Sequence, residues 1–503
     1  MVRRALAMAA SEQYLRMAIG FGSIAAISRL LTPTEIGVSV IGTGIVLIAL
    51  GLREFATSDF LIRCEQVAPG DVRSSFTVLF LLTALITSAM FALAPWLGSF
   101  YGEEKLTAFL RVGAIAGLIE ALSLPITGLL RRDMAFGKLA FINTSSVMVN
   151  ALTTVLLAVL GFSYMSIAWS MVAAAVTTTG LSFYFHRHPG ILRPALTCWR
   201  AILAFGGYNG VSFLINRVYE GLPQLILGYM LPHAAAGLYN RANVTAGIPD
   251  KIVLTSVLAV AFPALAAEVR KGRTIKEPYL RTLALITVLY WPSLVLLALL
   301  AQPVVLLLLG PQWPAVIPLL QVIAIAALAW FPVVLTSPVL LALGATRDRM
   351  LADLVGRSGA AIVLCSSAIF GIAHFGVMAM AASQLISLPF QMVVALWFVR
   401  RHVPFRWLEI SAALWKSAVV TATSAAGPIC VVAFPTFSFD LSIAATLLAV
   451  AFAAAGWLIG VFVTRHPAAL ELRQAAEAIG ATTLVRRSPH ERMIAGPRAG
   501  EVS

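Results

Sequence analysis

Charge is scarce in this chain. Asp, Glu, Lys and Arg make up 12% of 503 residues, against about a quarter in soluble domains. That shortage excludes an ordinary water-soluble globular protein. Cysteine is scarce too. Cys64, Cys198, Cys365 and Cys430 lack the paired spacing of a zinc site, and no disulfide is expected. Histidines are few and scattered. His186 and His188 sit in a basic connection, where a solvated role is expected rather than metal binding. There is no P-loop, GxSxG, HExxH or CxxC framework. The GFG of residues 20–22 follows no strand, so it is not a nucleotide fingerprint; small residues there permit close helix packing. No catalytic residue, cofactor or metal is expected. Without an ATPase site, any vectorial work must draw on an ion gradient or on the substrate's own gradient. No cleavable leader is evident, because MVRRALAMAA runs into a first span too long and too polar for one.

What is present is apolar sequence. Hydrophobic residues are 60% of the chain, in runs of membrane-spanning length. The alternating strands of an outer-membrane barrel are missing. The expected fold is an all-α polytopic membrane protein of about fourteen transmembrane helices. They fall near 11–31, 36–58, 76–98, 105–128, 139–160, 163–185, 202–228, 237–262, 280–301, 315–343, 350–371, 374–399, 412–434 and 443–464. The net charge of +14 does not point to nucleic acid, since the basic residues sit singly or in pairs between apolar runs. They read as topology signals. Alternate connections are basic: Arg63 with Arg73, Arg131–Arg132–Lys138, Arg187 to Arg200, Arg270 to Lys276, Arg347 to Arg357, Arg400–Arg401–Arg406, and the tail from Arg465. The connections between them, such as TPTE, GFSYM and LPHAAAG, hold almost no basic residue. Both termini are therefore expected in the cytoplasm, and the outer loops are all short. The tail is expected to form at most one amphipathic helix, ELRQAAEAIG.

The first six spans echo the next six at an offset of about 200–215 residues. RLLTPTEIGV (29–38) is echoed by YMLPHAAAGL (229–238), and GLLRRDMAFGKLA (128–140) by LGATRDRMLADL (343–354). Gly161–Phe162 is echoed by Gly371–Ile372. An even number of spans per repeat gives both halves one orientation. The expected domains are two six-helix bundles, 1–190 and 200–402, related by a pseudo-twofold axis along the membrane normal. Two additional helices occupy 410–465, and 466–503 is a tail. A site between the bundles is a transporter plan.

Charges inside spans are costly and face a wet cavity or a partner. The candidates for a substrate cavity are Arg217, Glu220, Arg241, Arg29, Arg16 and Arg111. Asp250, Glu220 and Glu120 are the carboxylates that could carry a proton or other coupling ion. The competing reading is that these side chains snorkel or pair between helices, and Arg53, Glu54 and Arg29 lie close enough to an interface for it. Arg217 and Glu220 are three apart and share a helix face. Asp250 and Lys251 are adjacent, about 100° apart around a helix, so both cannot face one cavity equally. Surplus arginine suits an anionic solute, since its guanidinium fork grips phosphate bidentately.

SRLLTPTEIG (28–37), GLYNRANVTAGIP (237–249) and LLLLGPQWPAVIPLLQVIAI (306–325) resemble segments of the polysaccharide-transport (Wzx-like oligosaccharide flippase) branch of the multidrug/oligosaccharidyl-lipid/polysaccharide exporter superfamily. The resemblance covers about residues 10–400. It implies alternating access and translocation of undecaprenyl-diphosphate-linked oligosaccharide across the bacterial inner membrane, for exopolysaccharide, capsule or O-antigen synthesis. It also implies membrane lipids as surroundings, H+ or Na+ coupling, and a polymerase and glycosyltransferases of the same pathway as partners. The family's cationic lumen has no strict motif, so only Arg241 within GLYNRA and Arg29 within SRLL are motif positions. An ion-coupled multidrug antiporter and a lipid II flippase are alternatives of the same fold. A membrane polysaccharide polymerase or ligase would want a sizeable outer loop.

Overall fold

In the computed structural model every described element is helical. The described residues are 2–56, 69–186, 193–254, 273–433 and 441–473, with a few positions between these ranges. Cys64, His188, the end of the eighth expected span and the tail beyond Arg473 lie outside them.

The first half comprises α1 (Val2–Leu30), α2 (Pro33–Gly51, running on as a 3-10 turn, Leu52–Ala56), α3 (Pro69–Phe100), α4 (Lys105–Ala121), α5 (Leu124–Arg132), α6 (Phe136–Val159) and α7 (Met165–Phe185). The second comprises α8 (Trp199–Met230), α9 (Ala234–Ala246, then a π turn, Asp250–Leu254), α10 (Lys276–Leu299), α11 (Ala301–Leu308), α12 (Val316–Ala326, then a 3-10 turn, Ala327–Trp330), α13 (Phe331–Ala342), α14 (Thr346–Phe375) and α15 (Val377–Arg400). Two further helices follow, α16 (Trp407–Ala433) and α17 (Ile443–Val463).

Among the described residues ten helices are long and apolar enough to cross a membrane, or eleven with α4 and α5 taken as one span bent by 41°. Fourteen is not reached by that measure. The three expected spans outside it are α1, α8 and α9. They are helical, but α9 is short and α1 and α8 are more polar. For α1 and α8 the shortfall has a physical cause, since Arg16, Arg217 and Glu220 lower their apolarity, whereas the end of the eighth expected span lies outside the described residues.

The start of α2 follows from local chemistry. Thr32 is the N-cap, in extended conformation. Its hydroxyl oxygen accepts from the Glu35 N–H, and the Glu35 carboxylate accepts from the Thr32 N–H at 2.8 Å. This capping box, with Pro33 in the first turn, satisfies donors that a helix start otherwise leaves open. TPTE is thus a helix-start signal.

Within the first half, α1 packs on α6, α6 on α7, and α4 on α2, α3 and α7. Within the second, α15 packs on α12, α13 and α14, while α12 also touches α9 and α10. Helices α16 and α17 pair closely and lean on α10. The halves meet mainly where α2 runs along α8 and α9. The two echoed proline turns meet there back to back. A Cβ on Gly37 would lie 1.8 Å from the His233 carbonyl oxygen, and one on Gly237 would lie 2.3 Å from that of Pro33. Only glycine permits that approach of two backbones.

Candidate functional site

Three cavities lie in series between the first-half helices and α8–α9. The first, about 420 Å³, is at the Pro33 end of α2 and is lined by Ser39, Thr43, Asn150, Arg217, Glu220 and Arg241, among others. The second, about 370 Å³, shares Leu47, Asn150, Met171 and Arg217 with it and adds Arg53, Glu54 and Glu120. The third, about 470 Å³, shares Glu120, Ser146 and Thr178 with the second and adds Gln13, Arg16 and Lys251. Shared walls make these one path along α1 and α2.

The path carries five cations (Arg16, Arg53, Arg217, Arg241, Lys251) against three acids (Glu54, Glu120, Glu220). Three of the arginines have a glutamate beside them, the first being Arg16 with Glu12 at 3.3 Å. Arg53 meets Glu120 at 2.7 Å, between the end of α2 and α4. Arg217 meets Glu220 at 3.0 Å, one turn along α8, with its guanidinium over the Phe213 ring at 4.8 Å. Arg241 differs. It is only 7% exposed, makes no ion pair or hydrogen bond to any described residue, and its Nε is buried without an acceptor. Its guanidinium carbon lies over the Trp313 ring, 6.0 Å from the centroid. An uncompensated buried cation is strongly unfavourable. One that also lines a cavity is poised to take an anion.

The remaining candidates are placed differently. Arg16 lines the third cavity and is held by Glu12 at 3.3 Å. Glu120 lines the second and third. Arg111 lies over the Phe91 ring at 4.9 Å, with its Nε unpartnered, and lines none of the three cavities. Asp250 accepts a hydrogen bond from the Tyr290 hydroxyl, away from the cavities, whereas its neighbour Lys251 lines the third. Arg29 donates to the Leu307 carbonyl at 2.7 Å, across to the second half. It serves as a tie between halves.

Arg29 is one of several such ties. Gln312 donates to the Leu31 carbonyl at 3.0 Å and to that of Ser28, and the Trp313 indole N–H donates to the Ser28 carbonyl at 2.7 Å. A helix leaves its last carbonyls without internal partners, and LLLLGPQW supplies donors to those of SRLL. Arg241 of GLYNRA lies over the same tryptophan. The sequence reasoning did not single out the cavity's uncharged amides. Asn143 and Asn150 are seven apart on α6 and both line the path. That spacing within an apolar span was the available signal.

The three runs that meet here lie within residues 26–318, which match the family described as polysaccharide biosynthesis protein. The chain belongs to that family. WzxC, a lipopolysaccharide biosynthesis protein of Escherichia coli K12, is 22% identical over 314 residues, 62% of this chain and 63% of that protein. ExoT, a succinoglycan biosynthesis transport protein of Rhizobium meliloti, is 26% identical over 310 residues, 61% of this chain and 62% of that one. The match therefore spans under two thirds of either relative. Among solved structures, the lipid II flippase MurJ in an inward closed conformation superposes with a TM-score of 0.72 at 10% identity, over 91% of this chain and 98% of that one. An inward-facing MATE-family multidrug transporter superposes with a TM-score of 0.61 at 13% identity, over 80% and 98%. These likenesses show a shared fold, that of a multi-pass, all-helical membrane protein.

Proposed function

We propose that this protein is a transporter, not an enzyme, that carries undecaprenyl-diphosphate-linked oligosaccharide units across a bacterial inner membrane for polysaccharide assembly. The observation that carries the reading is Arg241: a buried guanidinium without a partner among the described residues, at the wall of a 420 Å³ cavity. A diphosphate supplies the oxyanion that such a group lacks, and arginine binds phosphate bidentately. Arg217, Arg53 and Arg16 extend the cationic surface along the path. The likeness to WzxC and ExoT, proteins of lipopolysaccharide and succinoglycan biosynthesis, supports polysaccharide units as the cargo.

In this reading residues 1–190 and 200–402 are the two bundles of an alternating-access cycle, 410–465 are accessory helices, and both termini face the cytoplasm. The join of SRLL to LLLLGPQW closes the periplasmic end. Glu120 and Glu220 release their arginines to the passing diphosphate and are the carboxylates best placed to exchange a proton or Na+. Asp250, hydrogen-bonded by Tyr290, is a third coupling candidate. The polymerase and glycosyltransferases of the pathway act before and after the transport step.

The test is genetic and chemical together. Arg241→Gln and Arg217→Ala should each abolish polymer export while the protein still reaches the membrane, and lipid-linked oligosaccharide should accumulate in the inner leaflet. Normal export from both variants overturns the reading. The fold shared with MurJ favours a second cargo, lipid II. The same experiment separates the two, because the intermediate that accumulates would then be the peptidoglycan precursor.

A further inference from the structure

The basic run Arg347 to Arg357 reads in sequence as one cytoplasmic connection, yet Arg357 is not in a connection. It is the twelfth residue of α14, about 16 Å along the helix at 1.5 Å per residue. Its guanidinium carbon lies 4.9 Å from the centroid of the Tyr219 ring and 5.2 Å from that of Trp330. These rings come from two other elements, α8 and the 3-10 turn after α12. The Tyr219 hydroxyl accepts from Gln391 Nε2 of α15 at 3.1 Å, which fixes the ring in turn. Two aromatic faces attract a cation through their negative quadrupole, but they accept none of its five N–H donors in the plane of the fork. Arg357 makes no hydrogen bond or ion pair to any described residue. Asp353, one turn earlier on the same helix, attracts it electrostatically but makes no ion pair with it within 4 Å. The side chain is partly exposed, so the donors are open to an incoming group.

Position on α8 gives this arrangement a direction. Tyr219 is two residues from Arg217, about 200° around the helix. Helix α8 therefore presents Arg217 to the cavity series on one side and the ring that holds Arg357 on the other, where α14 packs. We propose that Arg357 is a second oxyanion subsite, on the second-half side of α8, that takes a phosphoryl group of a diphosphate. The proposal rests on the anion-transport reading above and adds a separate binding position to it. The aromatic clamp orients the fork, and with Asp353 near but not in ion-pair contact its donors stay open to phosphate, in contrast to Arg53 and Arg217, which are in direct contact with glutamates.

The experiment uses the full-length protein in lipid nanodiscs with two probes, inorganic pyrophosphate and undecaprenyl diphosphate. Wild type should bind both. Arg357→Gln should lower affinity for both by about five-fold or more, at a melting temperature near that of wild type, and Arg357→Lys should recover part of the loss as a point charge without the fork. Loss of the lipid probe alone would place the contact on the isoprenoid chain and overturn the subsite. If wild type binds neither probe, the transport reading itself falls. If wild type binds and Arg241→Gln does not, while Arg357→Gln binds as wild type, only the Arg357 subsite falls. Should Arg357→Gln fail to fold, Asp353→Asn decides: removing the nearby negative charge should tighten pyrophosphate binding, and an unchanged affinity overturns the proposal.

Discussion

The Trp313 indole N–H donates to the Ser28 carbonyl across the two halves of the molecule, at 2.7 Å and with the tryptophan fully buried. Ser28 lies 285 positions earlier, at the end of α1, where carbonyls lack helical partners. Trp313→Phe keeps most of the ring and removes the donor. Loss of one such bond costs about 1 kcal/mol, so the fold should survive while the join between SRLL and LLLLGPQW loosens. The measurement is labelling of a cysteine at Leu31 by a membrane-impermeant reagent added from outside. Labelling should be faster in Trp313→Phe than in its parent. Equal rates would show that the tryptophan bond does not hold this end closed.

Two glycines make the neighbouring contact. A methyl group on Gly37 would lie 1.8 Å from a backbone oxygen that belongs to the opposing turn. Backbone cannot rotate away as a side chain can, so the turns must separate. Gly37→Ala should cost about 1–3 kcal/mol, the range for overpacking, and should lower export. Gly180→Ala is the control: it is also helical, and nothing lies within 4 Å of its added methyl. Its melting temperature should stay level or rise, since alanine favours helix over glycine.

These contacts mark the limit of what the sequence discloses. The TPTE turn and its echo at LPHAAAG were legible, because proline chemistry is local, but α2 begins at Pro33, ahead of the expected 36, through a capping box that the sequence reading did not name. The pairing of Arg217 with Glu220 followed from their spacing of three. The meeting of Arg29 with Leu307, or of Arg53 with Glu120, was not legible, since each depends on which helices pack together. Arg29, read as a candidate for the substrate cavity, donates to a carbonyl of the other half. Arg241 was legible as a motif position, but its burial and lack of a partner are properties of the packed structure. The count of spans fell short for a related reason. Arg16 in α1 and Arg217 with Glu220 in α8 line the polar path and lower the hydropathy of those two helices.

Arg53 and Glu120 share a wall of the second cavity at 2.7 Å, with side chains 15% and 38% exposed. An anion entering from the third cavity competes with Glu120 for the arginine. Glu120→Gln removes the competitor, so pyrophosphate should bind about two- to five-fold more tightly, the scale of 0.2–1 kcal/mol for a partly exposed pair. Arg53→Gln should weaken binding. A structural pair with no part in binding would leave both affinities unchanged and alter only the melting temperature.

A final pair of contacts lies beyond the last helix. His466 is 1% exposed, and its Nδ1 accepts from the Ala468 N–H at 3.1 Å. Nε2 therefore carries the proton and donates to the Ser417 hydroxyl on α16 at 3.1 Å. Burial pushes the imidazole down to about 4, and the Lys416 ammonium beside it acts in the same direction. An unfolded histidine titrates near 6.5. Between these values the unfolded chain binds a proton that the folded chain refuses, so this group's contribution to stability is complete above pH 6.5 and is lost progressively as pH falls toward 4. The melting temperature of the purified protein should thus drop between pH 6.5 and 4.5. His466→Gln, which still offers an N–H to Ser417, should flatten the drop. An identical pH profile in the variant would assign the acid sensitivity to carboxylates elsewhere.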